Sequence, residues 1–407
     1  MYYYLIIGLF LIGLLFEIFI DYLGLTGNKN KMPDNVSDIY DSDTYNKWQS
    51  YKKDKSRLDL IETCVKGLVV LLLFIFKLFS KFGDLFGEGI FNKSIGVLVL
   101  YGVSNVLISV VFDYIRTFKV EEKYGFNKST IKLFIKDQII NTIFEFGLII
   151  GITCLYIGMY NLLGIYGLFA ISGFIILIVL IIFIFNRKFM RLFNKFTRLE
   201  DGELRDKLTK LLSDNGYSVR EIEVMNASKR TTKANAMFTG IGKFKSIILY
   251  DNLLKELADE EIVAVFSHEL GHGKHNDTLN GFIRSIIMII LFVLSIYLLS
   301  ILDNIYLDNG FSSVNYGFAM IILMEVVINI LSPLLQFLMS FISRKQEYNA
   351  DNFAYSLGYG DLLISSLKKI AKANLSDLNP HPIVVKLTYS HPTLSQRIDN
   401  IKGKETK

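Results

Sequence analysis

The sequence predicts a polytopic membrane protein built of α-helices, with a small β-sheet confined to one polar section. Of its 407 residues, 51% are apolar, and the mean hydropathy is +0.38. The apolar residues are clustered: residues 146–186 hold no charged side chain, and residues 285–302 form a second uncharged run. The first run would extend about 60 Å as a helix, which is enough for two membrane crossings.

We expect seven transmembrane helices. Two lie within residues 146–186, with a break near residues 161–167, and another lies at residues 285–302. Four more are diluted by a few polar residues, at residues 2–25, 65–86, 95–115 and 316–342. We expect the first span to be retained, because it lacks the basic leader and the small-residue cleavage site of a signal peptide.

Basic residues near the span ends predict the orientation. The segments after spans one, three and five are rich in Lys and Arg, whereas residues 156–166 and 303–315 contain neither. Because Lys and Arg accumulate in cytoplasmic loops, the N-terminus is expected outside and the C-terminus in the cytoplasm. The same asymmetry accounts for the net charge of +5, so we expect no nucleic-acid partner.

Several carboxylates fall inside or at the edge of the predicted spans. Ionised groups are costly in the bilayer core, so we expect these side chains to face the bundle interior or a water-filled cavity. For Asp21 and Asp113, a position at the headgroup boundary is an equal alternative. The six residues are Glu17, Asp21, Asp113, Asp137, Glu145 and Glu325.

The largest polar section separates the first five spans from the last two. It opens with a helical pattern at residues 202–213, and strand-like runs follow at residues 221–226, 235–238 and 246–250. A helix with an acidic first turn comes next and continues into span six. We therefore expect a small sheet packed on this helix.

That helix contains His268-Glu269-Leu270-Gly271-His272. Two His four positions apart share one helix face, so both can bind one metal ion. Glu269 lies where it can take a proton from a water at the metal. Zinc is the natural candidate, since its catalytic sites use imidazole and carboxylate ligands plus water. The alternative is a surface helix with two chance histidines.

A third ligand is expected just beyond span seven. Glu347 and Asp351 are four positions apart and share a helix face. One could complete the metal site while the other accepts the spare N–H of a ligating His. Spacing alone leaves these two roles interchangeable. A solvated helix end with alternating charges is the simpler alternative.

These residues stand in a chain that resembles the type I CAAX prenyl endopeptidases, integral-membrane zinc metalloproteases that trim prenylated proteins. The resemblance runs from about residue 100 to residue 400. It implies an all-α membrane protein in which seven helices enclose a water-filled chamber, with a small β-sheet-containing zinc metalloprotease domain at the cytoplasmic end. Its landmarks, besides the metal helix, are residues 117–128, 193–197, 202–205, 234–240, 347–351 and 390–392.

The resemblance also implies the metal site. His268, His272 and Glu347 would bind one Zn²⁺ ion per chain. Glu269 would be the general base, and Asp351 would orient a ligand. The roles that spacing left open for Glu347 and Asp351 are thus assigned by the resemblance alone.

Four further residues are implied around this site. His391 and Arg397 would be catalytic, binding the substrate backbone or stabilising the oxyanion. Asn235 and Ala236 would hold an extended substrate by backbone pairing along an edge strand. A lone His before Pro is more often a turn residue, so His391 depends on the resemblance. His275 is expected at the periphery of the site.

We divide the chain into four segments. Residues 1–186 carry spans one to five, and residues 187–281 carry the substrate strand and the metal helix. Residues 282–343 carry spans six and seven, and residues 344–407 form a cytoplasmic segment with the third ligand.

The sequence thus predicts a membrane zinc metalloendopeptidase that cuts near the C-terminus of CAAX-type or other membrane-associated peptides, prenylated or not. A quality-control protease of the HtpX-like type is an alternative with the same site. A membrane scaffold with structural zinc is a non-enzymatic alternative. The expected partners are a peptide or protein substrate, lipidated or not, and membrane lipid. Composition favours a bacterial plasma membrane; a eukaryotic source would place the protein in the ER membrane.

Overall fold

The structure is a computed structural model that describes residues 1–27, 31–217, 222–233, 235–239 and 246–403. Glu221 at the start of a predicted strand, and Ala234 and Gly240 in one landmark, lie outside the described residues. Within them the chain is mainly helical, with one small sheet in the polar section. The predicted fold class is confirmed.

The N-terminal half contains long helices joined by short connections. A 3₁₀ turn at Asp34–Val36 precedes α2, and a π-helical turn at Arg116–Glu121 extends α4. The helices are α1 (Tyr2–Thr26), α2 (Ser42–Ile75), α3 (Leu78–Asp84), α4 (Ile90–Ile115), α5 (Ile131–Leu163) and α6 (Tyr166–Ile184).

The C-terminal half combines shorter helices with four strands. A π-helical segment at Leu323–Ile328 joins α13 to α14. The elements are α7 (Asn186–Phe193), β1 (Phe196–Arg198), α8 (Glu203–Asp214), β2 (Ile222–Met225), β3 (Ala236–Thr239), β4 (Ser246–Tyr250), α9 (Leu253–Glu256), α10 (Asp259–Lys274), α11 (Asp277–Ser300), α12 (Asp303–Asp308), α13 (Tyr316–Ile322), α14 (Asn329–Ser356), α15 (Gly360–Ala373), α16 (Pro382–Thr388) and α17 (Leu394–Lys402).

Among the described residues, six helical segments are long and apolar enough to cross a membrane. They correspond to six of the seven expected spans, and the expected break near residues 161–167 falls at Gly164, where φ is +57°. The chain is therefore an integral, multi-pass membrane protein. The segments are Tyr2–Thr26, Ile90–Glu121, Ile131–Leu163, Tyr166–Ile184, Asp277–Ser300 and Tyr316–Ser356.

The expected second span, residues 65–86, is not one continuous helix. Lys77 adopts a left-handed backbone conformation with φ of +50°, which separates α2 from α3. The N-terminal half of α2 is polar, and its buried residues Trp48, Tyr51 and Leu58 pack in a core with residues of α15 and α17. Asp59, Glu62 and Lys66 interrupt its C-terminal half, and the apolar run that follows, residues 67–75, is too short to cross a membrane as one continuous helix.

The sheet has the strand order β1-β2-β4-β3, so β3 forms one edge. β2 and β4 are parallel, whereas β1 pairs with β2 and β3 pairs with β4 in antiparallel fashion. Ala236 stands opposite Leu249 in the β3–β4 pair. An edge strand presents unpaired N–H and C=O groups, so β3 can accept a further strand.

Cavities within the bundle are lined by most of the expected membrane carboxylates. Asp113 and Glu145 line a cavity of about 300 Å³ between α4 and α5. Glu17, Asp21 and Glu325 line another of about 400 Å³ between α1, α2 and the π-helical segment before α14. Asp137 instead pairs with Arg230, whose guanidinium donates to it at 3.1 and 3.2 Å. Polar side chains in the bundle thus face cavities or partners, as their desolvation cost requires.

Candidate metal centre

The first two candidate ligands lie on α10. The helix begins after Ala258, whose backbone N–H donates to the Glu261 side chain at 3.0 Å, and its acidic first turn favours the helix dipole. His268 and His272 share one face, with ring centroids 4.8 Å apart. His268 is buried, and His272 is half-buried. Apolar neighbours Phe266 and Leu270 anchor the opposite side in a core with β4.

The third candidate ligand comes from α14, which crosses α10 in backbone contact. A Cβ atom added at Gly271 would lie 2.9 Å from Ala350 Cα, closer than real Cβ contacts allow. Glycine between the two His therefore lets α14 approach. Glu347 lies one helical turn before Ala350, on the side that faces both imidazoles.

The distances at this crossing suit a metal ion. His272 Nε2 is 3.3 Å from Glu347 Oε1, and His268 Nε2 is 3.6 Å from Glu347 Oε2. One ligand atom from each residue lies within 4.8 Å of the others. With metal–ligand bonds of about 2.0–2.1 Å, neighbouring ligands of a tetrahedral ion are about 3.3 Å apart.

One buried atom among the described residues also calls for a cation. Glu347 Oε2 is shielded from solvent and accepts no hydrogen bond there. A buried carboxylate oxygen without a donor is costly, and a bound metal ion would satisfy it. His268, His272 and Glu347 therefore fit a divalent metal as a set of two nitrogens and one oxygen.

Each imidazole is held from behind by a carboxylate. His268 Nδ1 is 2.9 Å from Asp351 Oδ1, and His272 Nδ1 is 2.9 Å from Asp277 Oδ2. A proton on Nδ1 in each ring leaves the Nε2 lone pair free toward Glu347. Without a metal, burial lowers the pKa of His272, but Asp277 and Glu347 outweigh it and raise that pKa to about 10.

Asp277 is a site residue that the sequence argument missed. Asn276 has a φ of +55°, which interrupts the helix between α10 and α11 and turns the first residue of α11 back toward His272. An Asp five positions after the second His was the available signal. The turn was not expected, because the sequence predicted that the metal helix continues directly into span six.

Arg397 reaches the site from α17, and Asp351 fixes its position. Its Nε and Nη2 donate to the two Asp351 oxygens at 2.9 and 2.6 Å. Its Nη1 lies 3.6 Å from Glu347 Oε2. Burial lowers the pKa of Arg397, but Asp351 and Glu347 raise it above its usual value, so the group is a permanent cation. Asp351 thus contacts both an imidazole and this guanidinium.

His391 and Glu269 complete the surroundings of the three candidate ligands. His391 Nδ1 lies 3.0 Å from Glu347 Oε1 on an exposed loop before α17, and this hydrogen bond raises the pKa of His391. Glu269 lies between the two His on α10, where its charge acts on His272 and Arg397.

The two expected substrate residues lie nearby, at the start of the edge strand. Asn235 is exposed, and its Oδ1 accepts the Ala236 N–H at 2.9 Å. Ala236 begins β3, which packs against α10. His275 instead bonds to the Gly271 carbonyl through Nδ1 at 2.8 Å, away from the three candidate ligands. This agrees with its expected peripheral position.

Two family models together cover most of the chain. The model described as peptidase family M48 matches residues 198–405, which include the metal helix, α14 and α17. The model described as CAAX prenyl protease N-terminal, five membrane helices, matches residues 22–195. The N-terminal membrane helices and the segment with the candidate metal centre thus each match a protease family model.

Individual relatives match over nearly the full length. The CAAX prenyl protease 1 homolog of Arabidopsis thaliana is 30% identical, covering 99% of this chain and 98% of its own. CAAX prenyl protease 1 of Saccharomyces cerevisiae is 30% identical, over 91% and 88%. The crystal structure of S. mikatae Ste24p superposes with a TM-score of 0.90 at 26% identity, covering 98% of this chain and 99% of that one. The chain is therefore a membrane metalloprotease that belongs to the CAAX prenyl proteases of peptidase family M48.

Proposed function

We propose that this protein is a zinc endopeptidase that removes C-terminal residues from prenylated CAAX-type proteins. The observation that supports this most directly is the convergence of His268, His272 and Glu347, with an orphaned Glu347 oxygen among them. Relatives named as CAAX prenyl proteases match the chain over nearly its whole length.

His268, His272 and Glu347 would hold the zinc ion, since two imidazoles and one carboxylate are a catalytic zinc ligand set. Asp277 and Asp351 would keep the two imidazoles in the tautomer that binds metal. Zinc held there would polarise the scissile carbonyl and lower the pKa of a water molecule to about 7.

Glu269 would act as the general base. Its carboxylate takes a proton from the attacking water and later delivers it to the leaving amine. Its position between the two candidate His ligands keeps it beside any group that they hold. The charge of Glu269 already acts on His272 and Arg397 in the structure.

Arg397 and His391 would stabilise the negative charge that develops on the carbonyl oxygen. The Asp351 ion pair holds the Arg397 guanidinium beside Glu347 without further rearrangement. His391 is exposed, so it can turn from Glu347 toward a bound peptide. Pre-positioned donors of this kind contribute about 3–4 kcal/mol each to transition-state stabilisation.

The substrate would bind as an additional strand on β3. Ala236 supplies backbone groups at the free edge, and Asn235 adds a side-chain amide at the strand's start. Backbone pairing of this kind tolerates varied side chains. The cavities within the bundle would take the lipid or apolar part of the substrate.

We infer that the metal site faces the cytoplasm, because the loops expected on that side carry most Lys and Arg. The membrane would be the plasma membrane in a bacterium and the ER membrane in a eukaryote. The four-segment division also remains our proposal. The HtpX-like alternative is disfavoured, because the N-terminal helices match the CAAX prenyl protease model.

The test is incubation of purified, zinc-loaded protein with a farnesylated CAAX-type peptide and its unmodified twin, followed by mass spectrometry. We expect one cut after the farnesylated cysteine, with the unmodified twin cleaved more slowly. Scattered cuts in unfolded membrane proteins, with no cut in the farnesylated peptide, would contradict the proposal and favour quality control.

A further inference from the structure

A cavity of about 550 Å³ lies beside the upstream end of β3, between α2 and the segment that precedes α17. We call it the upstream cavity; its lining includes Trp48, Lys52, Lys55, Lys233, Asp377 and Tyr389. Tyr389 and Asp377 also line the neighbouring cavity, which contains His391 and Arg397. The upstream cavity therefore adjoins the candidate metal centre.

Lys233 carries a partly desolvated charge at this cavity. Its Nζ lies 3.0 Å from Tyr51 Oη and 3.4 Å from Glu121 Oε1, and it is 4.9 Å from the centre of the Phe126 ring. Glu121 also accepts the Tyr51 hydroxyl at 2.7 Å, so it compensates Lys233 only in part. Burial lowers the pKa of Lys233, and Glu121 partly offsets this effect. A nearby anion would stabilise the ammonium group.

Lys55 and Trp48 are two donors at this cavity that lack partners among the described residues. Lys55 is exposed on α2, forms no hydrogen bond or ion pair within the described part of the chain, and lies close enough for its charge to act on Lys233. Trp48 is 5% exposed, and its indole N–H has no acceptor among the described residues. Buried indole N–H groups usually find a partner.

The acidic groups at this cavity are already engaged. Asp377 pairs with Lys52 at 2.7 Å, and Asp59 pairs with Arg116 at 2.9 Å. Asp21 accepts the Thr63 hydroxyl at 2.7 Å. The groups of the upstream cavity that lack a partner among the described residues include the Lys55 ammonium and the Trp48 indole N–H, both donors, which is the character of an anion site.

The direction of β3 indicates which anion would arrive there. In an antiparallel pair, the C-terminal end of one strand lies at the N-terminal end of the other. A peptide paired in this way on β3 would run its residues after the scissile bond toward Lys233, two positions before Asn235. Three extended residues reach about 10 Å.

We propose that Lys233 and Lys55 bind the free α-carboxylate of the substrate's C-terminal residue, which fixes how many residues are removed. This inference rests on the proposed function, since only a substrate cut near its end brings a carboxylate to the cavity. Backbone pairing on β3 selects little among substrate side chains. Recognition of the substrate's C-terminal carboxylate would explain how the enzyme still cuts at one fixed distance from the substrate's C-terminus.

The test compares a farnesylated peptide that has a free C-terminal carboxylate with the same peptide as its carboxamide. We expect wild-type holoenzyme to cleave the acid at least about tenfold more efficiently in kcat/KM, the effect of one charge-assisted contact. Lys55→Gln and Lys233→Gln should each bring the ratio toward one, whereas Lys55→Arg should preserve it. Lys53→Gln is the matched control, because Lys53 is exposed on the same helix and does not line the cavity.

The zinc content and melting temperature of each variant show whether it is folded. Because Lys55 is exposed, its substitution should disturb the fold less than substitution of Lys233. Equal cleavage of acid and amide by the wild type would overturn the carboxylate site while the proposed function stands. An unchanged ratio in folded Lys55→Gln would also overturn it. Failure of the wild type to cut either peptide near its end would overturn the proposed function and this inference together.

Discussion

Each imidazole at the candidate metal centre is fixed by the carboxylate behind it. Asp351 and Asp277 lie 2.9 Å from the Nδ1 atoms of His268 and His272, so both Nε2 atoms point toward Glu347. Asp351 also anchors Arg397, so one buried carboxylate positions a candidate ligand and a candidate oxyanion donor. Small changes at these carboxylates should therefore affect metal binding before they affect the fold.

Glu269→Gln should retain one zinc ion per chain and lower kcat by at least about 100-fold. Glutamine has nearly the same shape but cannot take a proton from water, which removes general-base catalysis. Zinc analysis and peptide cleavage on the same preparation check this. Zinc retention together with near-normal cleavage would show that Glu269 is not the base.

Asp277→Asn should weaken zinc binding by about 10- to 100-fold, because an amide holds the Nδ1–H of His272 less strongly than a carboxylate does. Competition with a chelator of known affinity measures the change. Asp303→Asn is the matched control, since Asp303 also begins a helix but contacts no candidate ligand. Equal affinities for the two variants would remove Asp277 from the site.

At the scale of elements, the centre depends on how closely α10 and α14 cross. Gly271 leaves no side chain between the two helices, and Ala350 occupies the facing position. Two candidate ligands come from one helix and one from the other, so the separation of the helix axes would determine the geometry of a bound metal ion. A glycine inside a helix costs about 1 kcal/mol relative to alanine, and here it permits the crossing.

Gly271→Ala should therefore destabilise the protein by about 1–3 kcal/mol and weaken zinc binding, because its Cβ atom would press on the α14 backbone. Thermal unfolding with and without a chelator separates the two effects. Gly147→Ala is the control, since nothing lies within 4 Å of a Cβ atom on that α5 residue. If Gly271→Ala behaved like this control, the close crossing would not be needed for the metal.

At the scale of the whole molecule, segments from the N-terminal and C-terminal parts of the chain pack together beside the candidate metal centre. The N-terminal half of α2 packs on α15 and α17, and α17 carries Arg397.

If the site is cytoplasmic, a cysteine placed at exposed Ser213 should react with an impermeant reagent only from the cytoplasmic side. A cysteine at exposed Asn161 should react only from the other side. Cys64 and Cys154 must first be replaced. Labelling of both positions from one side would contradict the orientation.

The predictions from sequence succeeded where local pattern determines structure. The apolar runs predicted seven spans, six of which the described residues form as single long helices, and the spacing of His268 and His272 predicted two imidazoles on one face. Hydrophobic periodicity does not encode features that depend on tertiary packing. These are the π-helical segments after α4 and before α14, the left-handed turn at Lys77 and the helix interruption at Asn276. Asp277 was missed for that reason. His391 and Arg397 lie more than a hundred residues after the metal helix, so only the resemblance to a family pointed to them.

Anomalous diffraction at the zinc absorption edge, from crystals of the zinc-loaded protein, would locate the metal ion directly. We predict one peak per chain, about 2.0–2.1 Å from His268 Nε2, His272 Nε2 and a Glu347 oxygen. A peak elsewhere, or one coordinated without Glu347, would contradict it.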